Sequence, residues 1–142
     1  RSVLRPHGNQ SLEFVQQGNL LSSRVALLVT LAQYLGLRWV IEQPDGSFLP
    51  DMPRFQDLWR KFEVWNGSFW MGHFNGPTPK RHRLWSNDKC LIEAVQERAG
   101  AMSRERMSQF KERLAVHYVD KNGVKRHTGK PQGLKNSQPL AP

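Results

Sequence analysis

The chain has a single cysteine, Cys90, among 142 residues. One thiol cannot close an intramolecular disulfide, and a zinc site built from several cysteines is excluded; the usage fits a reducing compartment. Long apolar runs are missing too. The longest, Val25 to Leu31, is interrupted by Thr30 and falls far short of the ~20 residues that cross a bilayer, so no membrane partner is expected. Acidic residues are scarce: 12 Asp and Glu face 21 Lys and Arg, for a formal charge of +9. The five histidines, His7, His73, His82, His117 and His127, lack the close pairing of a zinc site, and no metal is expected. Nor do Ser, His and Asp fall into a nucleophile elbow or a triad spacing.

What remains is a basic protein large enough for one domain, since a chain of this size buries about two thirds of the surface its unfolded form exposes. Hydrophobic residues make up 38% and mean hydropathy is -0.63, which implies a compact centre with polar ends. A pI near 10.3 favours polyanionic partners, nucleic acid first and, by charge alone, an anionic membrane surface second; an acidic protein docked by the tail is a further alternative. The charge is concentrated late, with ten Lys or Arg against three Asp or Glu over residues 98–142, a surplus of +7 in the total of +9.

Along the chain, residues 1–18 read as an irregular lead-in, with Pro6 and Gly8 and no period. The opening on Arg1 rather than Met reads as a fragment or a processed product. Val25, Leu28, Val29, Ala32 and Leu35 predict a helix from Ser22 or Ser23 to Leu35, with serine as N-cap and Gly36 as stop. Leu37 to Ile41 then predicts a buried strand closed by Pro44, Asp45 and Gly46. Pro53 suits the first turn of a second helix, with Phe55, Leu58, Trp59 and Phe62 on one face. Candidate strands follow at Phe69–Phe74 and Leu84–Ser86, and helices from Asn87 or Asp88 to Ala99 and from Ser103 to Leu114. Asn122-Gly123 between two short β-capable runs predicts a basic hairpin, and from Gly129 the composition predicts a disordered tail. The expected fold is α/β: a core over 19–100 of about three strands with flanking helices, then a basic helix, hairpin and tail over 101–142.

Two constellations carry chemistry. Glu42-Gln43-Pro44 places a carboxylate and an amide just past a strand end, where open α/β sheets bind ligands. Lys80-Arg81-His82-Arg83 sets three cations in four positions, and arginines at alternate positions of an extended chain point the same way, as a phosphate clamp requires. Trp59, Trp65, Trp70 and Trp85 invite base stacking, but at helical and strand spacing they read first as core.

On these residues the chain resembles the later half of the C5-cytosine DNA methyltransferase catalytic domain, over roughly Ser22 to Asp88. Glu42-Gln43-Pro44 is similar to the family's Glu-Asn-Val motif, whose glutamate holds the target cytosine. Gly76 to Leu84 is similar to its Gly-Val-Pro-Gln-x-Arg-x-Arg segment, with Gly76, Arg81 and Arg83 matching. The chain also resembles an uncharacterised multicopy family with the same core and a basic, Gly- and Lys-rich end. The methyltransferase resemblance implies a partial Rossmann-like layer, Glu42 as active-site carboxylate, and S-adenosylmethionine as cofactor of a complete enzyme. Departures weigh against activity. Gln43 replaces Asn and Pro79 replaces Gln, the Pro-Cys nucleophile is absent, and so is the glycine-rich cofactor loop. Without a thiolate to attack the base there is no covalent step. The expectation is a degenerate, non-catalytic module in the nucleus or cytoplasm. It would bind nucleic acid, DNA above all, through Gln43, Lys80, Arg81, Arg83, Lys125 and Arg126. The alternatives are a C-terminal fragment of an active enzyme, with Glu42 catalytic once completed, and a protein-interaction subunit.

Overall fold

The computed structural model describes residues 2–74, 78–110 and 115–129, with backbone alone at 115–117 and 126–129. It is a mixed helix and strand protein built on a small three-stranded antiparallel sheet. Helix α1 (Glu13–Tyr34) leads into β1 (Val40–Pro44), a 3-10 turn at Leu49–Asp51 and α2 (Pro53–Lys61). Strand β2 (Trp65–Trp70), a 3-10 turn at Met71–Phe74 and β3 (Arg81–Ser86) follow, then α3 (Lys89–Ala99), α4 (Arg104–Ser108) and the hairpin β4 (Ala115–Val119) and β5 (Lys125–Gly129). The sheet order is β1-β3-β2, so β3 is central.

Most helix ends sit where local chemistry puts them. Gly36, at φ +66°, ends α1: its N–H bonds Gln33 O at 3.2 Å and Leu37 N–H bonds Ala32 O at 2.9 Å, the paired bonds of a Schellman stop. Pro53 opens α2 after Met52, Asp88 Oδ1 accepts from Leu91 N–H at 3.2 Å to cap α3, and Ser103 Oγ accepts from Arg106 N–H at 3.2 Å to cap α4. In the hairpin, Asp120 N–H bonds Val124 O at 2.9 Å around Lys121–Gly123, with Gly123 at φ +75°. This is a three-residue loop closed by a left-handed glycine.

Several elements differ from expectation. Helix α1 starts at Glu13, inside the expected lead-in, and Ser22 is no cap: it is buried in mid-helix, its Oγ donating to Asn19 O at 2.9 Å. The polar stretch Gln16 to Asn19, with helix-weakening Gly18, hides the first turns, while packing of Val15 carries the helix through them. Strand β1 runs from Val40 to Pro44 rather than from Leu37 to Ile41. It is an edge strand alternating in burial, not a buried one, which is why it tolerates Pro44. Likewise β2 lies at Trp65–Trp70, and Met71–Phe74, expected as strand, forms the 3-10 turn. The three strands pair antiparallel throughout. The expected tail beyond Gly129 and the matching Gly76 lie outside the described residues.

Side chains alternate across a sheet, so register decides which helix covers which residue. Ile41 pairs with Trp85, and both join Ala26, Val29, Met52, Phe55 and Leu58 in the main core, formed with α1 and α2. Trp59 stacks between Trp39 and Trp85, centroids 6.5 and 6.4 Å away, so Trp59 and Trp85 are packing residues. On the other face α3 crosses β2, where Gln96 Nε2 donates to Ser68 O at 2.6 Å. Asn87 knits the layers: its amide donates to Gln33 Oε1 at 3.1 Å and Leu37 O at 2.9 Å, and its Oδ1 accepts from Trp39 N–H at 3.1 Å.

Candidate nucleic-acid interface

Alternation along β3 puts Arg81, Arg83 and Trp85 on one face and His82, Leu84 and Ser86 on the other. Register extends the first face sideways, because Gln43 and Ser68 both pair with Arg83, and Trp70 pairs with Arg81. Directly paired residues share a face. The expectation that the two arginines point the same way therefore holds.

Asp45 organises this face. The turn after β1 brings its N–H to Arg81 O at 3.1 Å. Its carboxylate then accepts from Ser68 Oγ at 2.9 Å and Arg83 Nε at 3.0 Å, and lies 3.5 Å from a terminal nitrogen of Arg81. Partial desolvation raises the Asp45 carboxyl, but the Ser68 hydrogen bond and the charges of Arg83 and Arg81 outweigh it and hold the group below the usual carboxylate range. The side chains of Arg81 and Arg83 remain 47% and 38% exposed. Arg81 also sits over the Trp70 ring, 5.9 Å from its centroid. Two guanidiniums on one carboxylate leave the face with a net positive charge. Each guanidinium carries five N–H donors in a fixed fork, of which Asp45 engages only one edge.

The other expected residues are distributed around this cluster. Gln43 shares its face, but its Oε1 accepts from Ser47 Oγ at 3.2 Å and so shapes the adjoining turn. Lys80 immediately precedes β3, its carbonyl accepting from Met71 N–H at 2.8 Å. Lys125 is exposed at the start of β5, while the Arg126 side chain lies outside the described residues.

Glu42 is where expectation and structure part. It lies in mid-strand, not past the strand end, and pairs with Leu84, which puts it on the face opposite Arg81 and Arg83. Its Oε1 contacts His82 Nδ1, and the His82 ring packs against Phe69 with its Nε2 buried and unpartnered among the described residues. Glu42 and the two arginines therefore do not converge on one pocket. The physical reason is the two-residue period of a strand: Glu42 and Gln43 are neighbours in sequence and opposites in space. Cys90 is exposed on α3.

Asp45 and Ser68 are the site residues that sequence reasoning missed; Trp70 invites base stacking in the sequence but reads first as core there. Asp45 reads only as the middle of a Pro-Asp-Gly turn, and Arg81 and Arg83 are 36 and 38 positions away. The one available signal is Trp70, the last residue of β2, opposite Arg81. Among the described residues no three His, Cys, Asp or Glu side chains are placed to hold a metal ion, and no helix is long and apolar enough to cross a membrane. Compared with known proteins, the chain matches no family model, no curated protein and no solved structure.

Proposed function

We propose that the chain is a non-catalytic nucleic-acid-binding module, taking DNA phosphates on the Arg81 and Arg83 face, with Lys80, Lys125 and Arg126 adding charge. The observation that carries this reading is the shared carboxylate: Asp45 aligns two half-exposed guanidiniums side by side without neutralising both. Aligned forks suit phosphate oxygens, and Trp70 beside Arg81 offers a plane on which an unpaired base can stack.

Catalysis is left out. Cys90, the lone thiol, follows Glu42 in the chain, and Glu42 faces away from the arginines. A longer polypeptide supplying a thiol and an S-adenosylmethionine loop would still have to bring those groups together. Descent from a Rossmann-like methyltransferase layer rests on motif order alone and bears none of the weight of this proposal.

The test is fluorescence anisotropy with labelled single-stranded and duplex DNA across a salt series. Affinity should fall with salt at a log-log slope near -0.9 per phosphate neutralised on duplex, and Arg81→Ala with Arg83→Ala should flatten that slope by roughly 1–2. Tight binding indifferent to salt, or a double variant with the parental slope, rejects the proposal. So does failure to bind any nucleic acid by a chain that copurifies with a stoichiometric acidic protein.

A further inference from the structure

Helix α1 has two apolar faces, and the described residues cover one of them. Val15, Ala26 and Val29 are buried inward. Around the opposite side, Leu20, Leu21, Leu27, Leu28, Leu31, Tyr34 and Leu35 are each 53–75% exposed. At 100° per residue these seven form one continuous stripe, with Leu21, Leu28 and Leu35 one heptad apart and Leu20, Leu27 and Tyr34 flanking them. A helix with two apolar faces needs a second surface to cover the outer one.

We infer that α1 is the interface of a two-fold dimer, its outward stripe packed antiparallel against the same helix of a second copy and centred on Leu28. Area is the first argument. Seven adjoining leucine and tyrosine residues, each more than half exposed, make an apolar patch at or above the few hundred Å² that an ordinary monomer exposes and approaching the roughly 800 Å² that each partner contributes to a standard interface. The second is charge. Arg24 is the only ionised residue of the stripe's central turns, and the last turn of α1 carries no basic residue. Parallel pairing, or antiparallel pairing centred on Arg24, would set Arg24 against its own copy. Centring on Leu28 pairs Leu21 with the partner's Leu35. It separates the two arginines by about 12 Å along the axis and lays each beside the other helix's C-terminal carbonyls, where a cation is favoured. Beside the stripe, a groove of about 170 Å³ between α1 and α2 is lined by Leu27, Tyr34 and Phe62 and by the charged Arg54, Asp57 and Lys61.

Sedimentation velocity of the full chain over a concentration series tests this. The expected result is a shift from 16.4 kDa to twice that mass, with Leu28→Glu raising the dissociation constant at least about 100-fold and Leu4→Glu, at a 94% exposed site off the stripe, leaving it unchanged. Circular dichroism of Leu28→Glu should match the parent. In a Cys90→Ser background, Leu28→Cys should form a disulfide-linked dimer under mild oxidation and Leu21→Cys should not. A chain that stays monomeric to about 100 μM, a dimer indifferent to Leu28→Glu, equal crosslinking at both positions, or a monomer that instead partitions onto anionic vesicles through α1 each overturns the inference.

Discussion

Replacing Asp45 by asparagine should move stability and nucleic-acid affinity in opposite directions. The substitution keeps the shape of the side chain but removes the charge that accepts from Ser68 Oγ at 2.9 Å and Arg83 Nε at 3.0 Å and faces Arg81 at 3.5 Å. Hydrogen bonds to a charged group contribute about 1.5–3 kcal/mol when well sheltered. Here the carboxylate is 24% exposed and its arginine partners 38–47%, so solvent screening reduces the expected loss to about 1 kcal/mol at pH 7. The Asp45 carboxyl is lowered from 3.8 in the folded chain. Its stabilisation is therefore complete above the unfolded value and disappears as pH falls through the folded one. Urea melts followed by tryptophan fluorescence should separate Asp45→Asn from the parent at pH 7 and bring the two together as pH falls through the lowered folded value. Released from the carboxylate, the arginines should bind DNA more tightly, with a salt slope steeper by up to about 0.9. A variant as stable as the parent at pH 7, a stability gap that persists in acid, or weaker DNA binding would refute the proposed role of Asp45.

Two further substitutions probe the scaffold. Phe55 is fully buried beneath Trp59, centroids 5.6 Å apart, so Phe55→Ala should cost about 3–5 kcal/mol, read as a large drop in the urea midpoint, with Phe55→Leu losing clearly less. Asn87→Ala removes three hydrogen bonds joining α1, the entry to β1 and the end of β3. It should cost about 2 kcal/mol and increase hydrogen exchange at Trp39 N–H before exchange in α2.

Sequence alone determined the punctuation of this protein. Gly36, Pro53, Asp88 and Ser103 each act through bonds to residues within a few positions, so a helix end follows from its own neighbourhood. The same holds for the Asn122-Gly123 turn. The joint orientation of Arg81 and Arg83 was equally legible, because alternation is a property of any strand. Tertiary structure decided the rest. Which face Glu42 shares depends on the pairing of β1 with β3, and slipping that register by one residue would carry every side chain to the opposite face. Asp45 becomes the partner of Arg81 and Arg83 only once the sheet brings those strands together. Helix α1 likewise begins at Glu13 because packing of Val15 outweighs the weak propensity around Gly18. Long-range pairing selects among arrangements that the local sequence permits, and the candidate site is made of such pairings.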